Sequence, residues 1–441
     1  MTEKMKPSGI AWIGDIPQDW NIKRVKYLAS LKGRIGWQGL TSDEYIDEGP
    51  YLITGIDFQN GGIDWNNCVH ISEERWAEAP EIHIQNGDLL ITKDGTVGKV
   101  AIVSGLEGKA SLNSGVLLIR TNPDFDKRFL FWVLQSEEFW TWFRLKNAGN
   151  STIIHLYQGD FAEFSYTFPN TNAQCAIADF LDAQCTKIDS VIADIEKQIE
   201  TLQKYKTSLI TEAVTKGLDQ SVPMKDSGIE WVGKIPEHWQ VKRLSYECAR
   251  IGDIDHYMPD SVDKGIPYIM TGDLIGDSNE IDFENCKQIS EQDYQRLSRK
   301  MKPILNDVIF ARYATIGTVR IVDFDREFLV SYSCAIIRPK KSLHGKYLFY
   351  YLKSNAFYEE ISKYINTNTQ GNVGIDSLGR AKVPIPHLEE QIKISDFLDK
   401  KCRLIDDVIS DKKKQLEAIK QHKQSLIYEY VTGKKRVTEV N

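Results

Sequence analysis

At 441 residues the chain is too long for one hydrophobic core and calls for two or three domains. Its composition, 41% hydrophobic and 27% charged, is that of an ordinary soluble protein. No apolar run approaches the roughly 20 residues that span a bilayer, so a membrane-embedded role is excluded. The net charge of −7 argues against a general polyanion binder, so any nucleic-acid contact must come from local patches. Residues 1–9 are polar and lack an apolar signal core, and the seven cysteines are odd in number with no C-x-x-C pair. Both features point to a cytoplasmic protein with reduced thiols rather than a disulfide or zinc framework.

In chain order, the first informative stretch is SGIAWIGDIPQDW at residues 8–20, which returns as SGIEWVGKIPEHW at 227–239. Pro17, Pro236, Gly14 and Gly233 forbid a continuous helix, so each copy reads as an irregular arm pinned by its two tryptophans. PYLITG at 50–55 answers PYIMTG at 267–272, and IDWNNC at 63–68 answers IDFENC at 281–286, as strands and turns. DLLITKDGTVGKV at 88–100 answers DVIFARYATIGTV at 307–319, each predicting a buried strand, a glycine-containing turn and a second strand. Residues 129–136 and 347–354 are aromatic, amphipathic and predicted helical. Pro169 and Pro386 mark the entry to a long helix in each copy.

The long helical runs cover residues 173–216 and 389–434. In the first, Leu181, Ile188, Ile195, Leu202 and Leu209 recur every seven residues beside Cys185, Ile192, Ile199 and Ala213. In the second, Leu398, Ile405, Ile419 and Leu426 lie beside Cys402, Ile409, Leu416 and Tyr430. This is a coiled-coil seam, with Lys206 and Lys423 as matching polar breaks. Two such seams should find each other; the bland alternative is two amphipathic helices, each packed on its own globule. The repeat predicts antiparallel pairing, with the end of the second run near residues 8–20, so that the chain is quasi-circular. Parallel pairing would set the globules side by side.

Catalytic signatures are missing. There is no G-x-x-x-x-G-K-[ST] phosphate loop, the nearest approach being Gly108-Lys109 followed by Ala110, and no G-x-S-x-G elbow, H-E-x-x-H pair or [ND]-P-P-Y tetrapeptide. Asp124, Asp126 and Lys127 faintly suggest a nuclease metal site but read better as solvated turn residues. The chain is expected to bind rather than to catalyse.

The paired arms, the glycine-turn strands and the repeated FLD-x-x-C-x-x-ID helix starts at 180–189 and 397–406 together resemble the specificity subunit of type I restriction-modification systems, over nearly the whole length. The resemblance implies an α/β (α+β) chain. Its target recognition domains lie at residues 1–170, with the N-terminal arm, and at 218–387, with the second arm. They are separated by helices at 171–217 and 388–434 that form an antiparallel coiled coil, followed by a tail at 435–441. It further implies a bipartite, interrupted double-stranded DNA target, one half-site per domain, and two methyltransferase subunits docked on the paired helices. Restriction subunits would join them. S-adenosylmethionine, with ATP and Mg, is implied in those partners and no cofactor in this chain. A noncatalytic coiled-coil scaffold joining protein partners is the alternative; a complete single-chain restriction enzyme would need the methyltransferase motif that is missing.

Candidate DNA contacts follow from side chains able to reach base edges or phosphates. Three loops qualify. The turn beside Gly98 or Gly317 carries Lys93 and Lys99 in one copy and Arg312, Tyr313 and Arg320 in the other. A polar loop carries Asn147, Asn150, Ser151 and Thr152, answered by Asn368, Thr369, Gln370 and Asn372. GRIGWQG offers Arg34, Trp37 and Gln38, whose counterpart DIDHYM offers Asp255 and His256. Different readers predict an asymmetric target. The 44 residues of the first run span about 66 Å as a helix. Two heads on one face of the duplex put half-site centres about 34 Å, roughly ten base pairs, apart, with about six unread.

Overall fold

The structure, a computed structural model, describes residues 4–34, 40–148, 154–276, 278–365 and 371–437. It divides into two compact units, Met1–Ile195 with Lys414–Asn441, and Glu196–Lys413.

The first unit opens on a small hairpin, Met5–Pro7 against Asp15–Pro17, that leads to a fully buried Trp20. The second unit repeats this with Met224–Asp226, Lys234–Pro236 and a fully buried Trp239. The expectation that two tryptophans pin each arm holds in the first unit, where half-buried Trp12 packs against the core, and is corrected in the second, where Trp231 is 37% exposed. The tryptophan after the proline turn, held by an N–H bond from Trp20 to Pro17 O or from Trp239 to Pro236 O, is fully buried in both units.

Each globule is built on a four-stranded antiparallel sheet. In the first unit the order is Val100–Ile102, Leu89–Thr92, Val116–Thr121, Ala29–Gly33. The two-residue period sends Leu89, Ile91, Leu117 and Ile119 to one core and Leu90, Val116 and Leu118 to another. Both faces are covered, so these strands are apolar throughout rather than alternating. The first core receives the helices Lys127–Gln135 and Glu137–Lys146; the second is closed by a three-stranded sheet containing Ile46–Ile53 and Ala110–Leu112. In the second unit the order Val319–Ile321, Val308–Ala311, Cys334–Pro339, Cys248–Gly252 repeats the plan, with Val308, Phe310, Ala335 and Ile337 on one face and Ile309, Ala311, Cys334 and Ile336 on the other.

The long helices run Thr171–Lys216 and Leu388–Val431. Asn170 caps the first, its side chain accepting the Ala173 N–H at 3.0 Å. Gly217 (φ 74°) and Gly433 (φ 72°) stop the two in the left-handed conformation that glycine tolerates best. The second helix therefore ends three residues short of the expected Lys434. Every predicted seam position is buried or half-buried.

Pairing is antiparallel within each unit. In the first, the rings of Phe180 and Tyr430 lie 4.4 Å apart and Asp189 meets Lys423; in the second, Gln198 meets Lys412 and Lys206 meets Asp406. The end of the second helix reaches the N-terminal arm, as the quasi-circular reading expects. Tyr428 OH donates to Trp12 O at 3.2 Å and Lys434 Nζ to Ile13 O at 2.8 Å.

Candidate nucleic-acid interface

The reading loops predicted from sequence converge because of sheet register. In the first unit Gly33 pairs with Leu117, Thr92 with Val116 and Val100 with Ile91, so the segments next to Gly33, Thr92, Val100 and Val116 emerge at one end of the sheet. Lys93 N–H bonds Gly115 O at 2.8 Å, and Lys93 O accepts the Leu156 N–H at 2.9 Å, which brings in the chain just after the polar loop. In the second unit Gly252 pairs with Ile336, Ala311 with Cys334 and Val319 with Phe310. Here Arg312 N–H bonds Ser333 O at 2.8 Å, Val373 N–H bonds Arg312 O at 3.1 Å, and Tyr313 bridges Asn372. The two units thus present the same end-of-sheet loop cluster built from different residues.

Three expected base readers are corrected by their burial. Arg34 (3% exposed) donates from Nε to Leu112 O at 2.8 Å and from Nη2 to Ser111 Oγ at 3.0 Å, and burial lowers its pKa. Arg312 (4%) donates to Asp253 Oδ2 and Tyr332 O, both at 2.7 Å, and to Val373 O at 3.1 Å. Arg320 (1%) is spent on the carbonyls of Glu280, Val319, Ile275 and Gly276, at 2.7 to 2.8 Å. A guanidinium carries five donors in a fixed fork, and chain segments leaving a sheet carry carbonyls without ladder partners; the two satisfy each other. These arginines brace the loops and do not present their forks outward.

The remaining candidates sit nearer the surface. Lys93 is half-buried and, among the described residues, its ammonium has no hydrogen-bond or ion-pair partner. Lys99 donates to Gly55 O at 3.1 Å. Tyr313 is half-buried, with the Arg312 guanidinium 5.3 Å from its ring centroid. Asn372, also half-buried, joins the cluster through its backbone bridge. Asp255 is exposed, 3.5 Å from Lys300. His256 is exposed, stacked on Tyr332 at 4.7 Å with Nε2 3.5 Å from Asp253. Trp37, Gln38, Asn150, Ser151, Thr152, Asn368, Thr369 and Gln370 lie outside the described residues.

Sequence reasoning misses three members. His155 Nδ1 lies 2.6 Å from Asp94 in the first cluster; Lys300 Nζ reaches Asp253 at 3.1 Å, and Tyr332 supports His256, in the second. None belongs to a local motif; Lys300 meets Asp253 across 47 residues. Repeat alignment would expose the contrast that matters most: Arg34 and Lys93 occupy the positions of Asp253 and Arg312. The second cluster contains an internal ion pair where the first holds two cations.

Asp126, of the faint nuclease pattern, instead caps the helix Lys127–Gln135, accepting from Arg128 N at 2.7 Å and Phe129 N at 3.2 Å. Among the described residues no three His, Cys, Asp or Glu side chains gather as a metal site, and no helix is long and apolar enough to cross a membrane.

A family profile described as the type I restriction modification DNA specificity domain matches this chain twice, at residues 17–201 and 236–418. The MjaVIII type I restriction enzyme specificity subunit of Methanocaldococcus jannaschii is 28% identical over 435 residues, covering 97% of this chain and 95% of that one. The EcoBI specificity subunit of Escherichia coli is 24% identical over 366 residues, covering 79% and 72%. A solved chain from a study of complex assembly and conformational transition in the type I R-M system covers 95% of this chain and 99% of its own, at a TM-score of 0.68 and 16% identity, a likeness of fold.

Proposed function

The chain belongs to the type I restriction-modification DNA specificity family, whose members are noncatalytic DNA-recognition subunits, and from that premise we propose that it reads a bipartite, interrupted duplex target with one end-of-sheet cluster per half-site. The observation that carries this reading is the repetition of one loop architecture with different residues near its surface, Lys93 and His155 in one unit, Tyr313 and His256 in the other. Two heads of identical chemistry would serve a palindrome; two that differ serve an asymmetric target.

The paired helices hold the half-site spacing and dock two methyltransferase subunits. Val191 and Val408, at the same repeat position, are each 45% exposed, so each helix offers one apolar contact of the same kind to an equivalent partner. S-adenosylmethionine, ATP and Mg are the partners' requirements, and restriction subunits complete the assembly in the cytoplasm.

The test is a mobility shift with a mixed-sequence duplex over a salt series. Retardation that weakens as salt rises is the expected result. A chain that joins methyltransferase subunits yet retards no duplex, alone or assembled, would instead be the coiled-coil scaffold.

A further inference from the structure

The two units differ at a second site, beside the reading loops. In the first unit Glu163, just after the helix Gln158–Ala162, holds Arg24 at 2.8 Å and Lys26 at 2.5 Å. Strand register fixes the equivalents: Ser165 pairs with Arg24 as Lys382 pairs with Arg243, so Glu163 corresponds to Arg380 and Lys26 to Ser245. The acid that neutralises the first unit is replaced by a third base in the second.

Arg243, Arg250 and Arg380 all line one open cleft of about 640 Å3 in the second unit, with Asp376 as its single carboxylate and Ser245 on its wall. All three arginines are exposed, and among the described residues none of their guanidinium groups has an ion-pair or hydrogen-bond partner. Unpaired like charges sharing one cleft repel, and an arriving anion relieves that repulsion. Guanidinium forks match phosphate oxygens bidentately. The cleft has no aromatic lining on which a nucleobase could stack, which favours a run of phosphodiesters over a free nucleotide.

Its position fits that occupant. Arg250 and Ile251 lie on the strand that ends at Gly252 and leads into Asp253, and Asp376 follows three residues after Val373, which bonds Arg312 O. Both walls of the cleft therefore continue directly into the second reading cluster. We infer that this arginine cleft grips the sugar-phosphate backbone of duplex DNA beside the second half-site, a grip the first unit lacks because Glu163 cancels it. The inference rests on the proposed DNA reading and adds a sequence-independent anchor on one side only.

Glutamate exchange tests it, because Arg380→Glu recreates the Glu163 arrangement next to Arg243 and should leave the fold intact. Affinity of the full chain, assembled with its methyltransferase subunits, is measured by anisotropy on target and non-target 30-base-pair duplexes over a salt series. Arg380→Glu should weaken binding about five- to thirtyfold on both duplexes at 0.15 M salt and reduce the salt slope by about one to two. The converse Glu163→Arg should raise affinity and steepen the slope. Unchanged affinity and slope in Arg380→Glu, with wild type binding normally, overturns the inference and leaves the DNA reading standing. A loss confined to the target duplex means the arginines read bases and overturns the backbone assignment. Loss of subunit assembly with DNA binding kept makes the cleft a protein dock. A wild-type complex that binds no duplex sinks both.

Discussion

Lys206 Nζ lies 2.6 Å from Asp406 Oδ1, and at the same two repeat positions Lys423 Nζ lies 2.6 Å from Asp189 Oδ1, with the roles of the helices exchanged. A lysine in an apolar seam is a liability unless a carboxylate from the partner helix meets it, and only antiparallel register supplies one here. Each pair thus fixes register as well as charge. Asp406→Asn should destabilise the second unit by roughly 1–3 kcal/mol, discounted because Asp406 is half-exposed, by leaving the Lys206 ammonium largely buried without its counter-ion. Lys206→Leu should be neutral or stabilising. Thermal unfolding of the two variants checks this; an Asp406→Asn variant as stable as wild type would mean the charge pair does not matter.

Glu138 is fully buried, and among the described residues neither carboxyl oxygen has a partner in full hydrogen-bond geometry. Burial pushes its pKa well above the usual carboxylate range, against opposing pulls from the Thr167 backbone N–H and from Lys434. The folded state therefore keeps a proton that the unfolded chain releases above about pH 4.5, so stability falls as pH rises from there through the folded pKa. The slope is at most about 1.4 kcal/mol per pH unit. Glu138→Gln should remove it, with melting temperatures of wild type and variant diverging in the variant's favour from pH 5 to pH 9. Parallel curves would show that Glu138 ionises freely in the fold.

Arg312 and Lys93 occupy one repeat position but should fail differently. Arg312→Ala removes three side-chain hydrogen bonds at once and leaves Asp253 with Lys300 and His256, so its first effect should be a loss of stability of about 2–4 kcal/mol in the second unit. Lys93→Ala should leave melting within about 0.5 kcal/mol of wild type and weaken DNA binding with a salt slope reduced by about one. Thermal melts beside anisotropy titrations separate the two; a destabilised Lys93→Ala would place that lysine in the fold rather than on the ligand.

Spacing is the mechanical prediction. One heptad inserted in both helices, between Ile195 and Leu202 and between Lys412 and Ile419, keeps the seam register and adds about 10.5 Å, or about three base pairs. That is also about a third of a duplex turn, which rigid heads can follow only by bending DNA at several kcal/mol. Methylation at the original target should be lost, with any regained activity on longer gaps. Unchanged methylation by a folded, assembled variant would show that the helices do not set the distance.

The seam, the repeated arms and the strand-turn-strand units are legible in sequence because period and proline or glycine position act locally. Leu181, Ile195, Leu398 and Ile405 are buried where the seven-residue spacing puts them. The salt-bridge partners Asp189 and Asp406 are not legible, since their facing depends on the register of two distant helices. Arg34, Arg312 and Arg320 look like readers because arginine in a glycine-rich loop is chemically suited to DNA. Whether its donors point out or meet carbonyls is decided by loop paths 20 to 78 residues apart in sequence, such as Arg312 to Tyr332 O and Arg34 to Leu112 O. The arginine cleft escapes notice for the same reason, and the exchange of Glu163 for Arg380 becomes visible only once strand register aligns the repeats.

The central claim is that two different heads on one noncatalytic chain read two halves of one DNA target. Methylome sequencing of a host carrying the methyltransferase subunits, with this gene intact, deleted, or bearing the heads exchanged for each other's loop clusters, tests it most directly. The expected result is one asymmetric, interrupted motif that disappears on deletion and changes in one half when one cluster is replaced. Methylation that persists without the gene, or a motif that is continuous and changes as a whole, would contradict it.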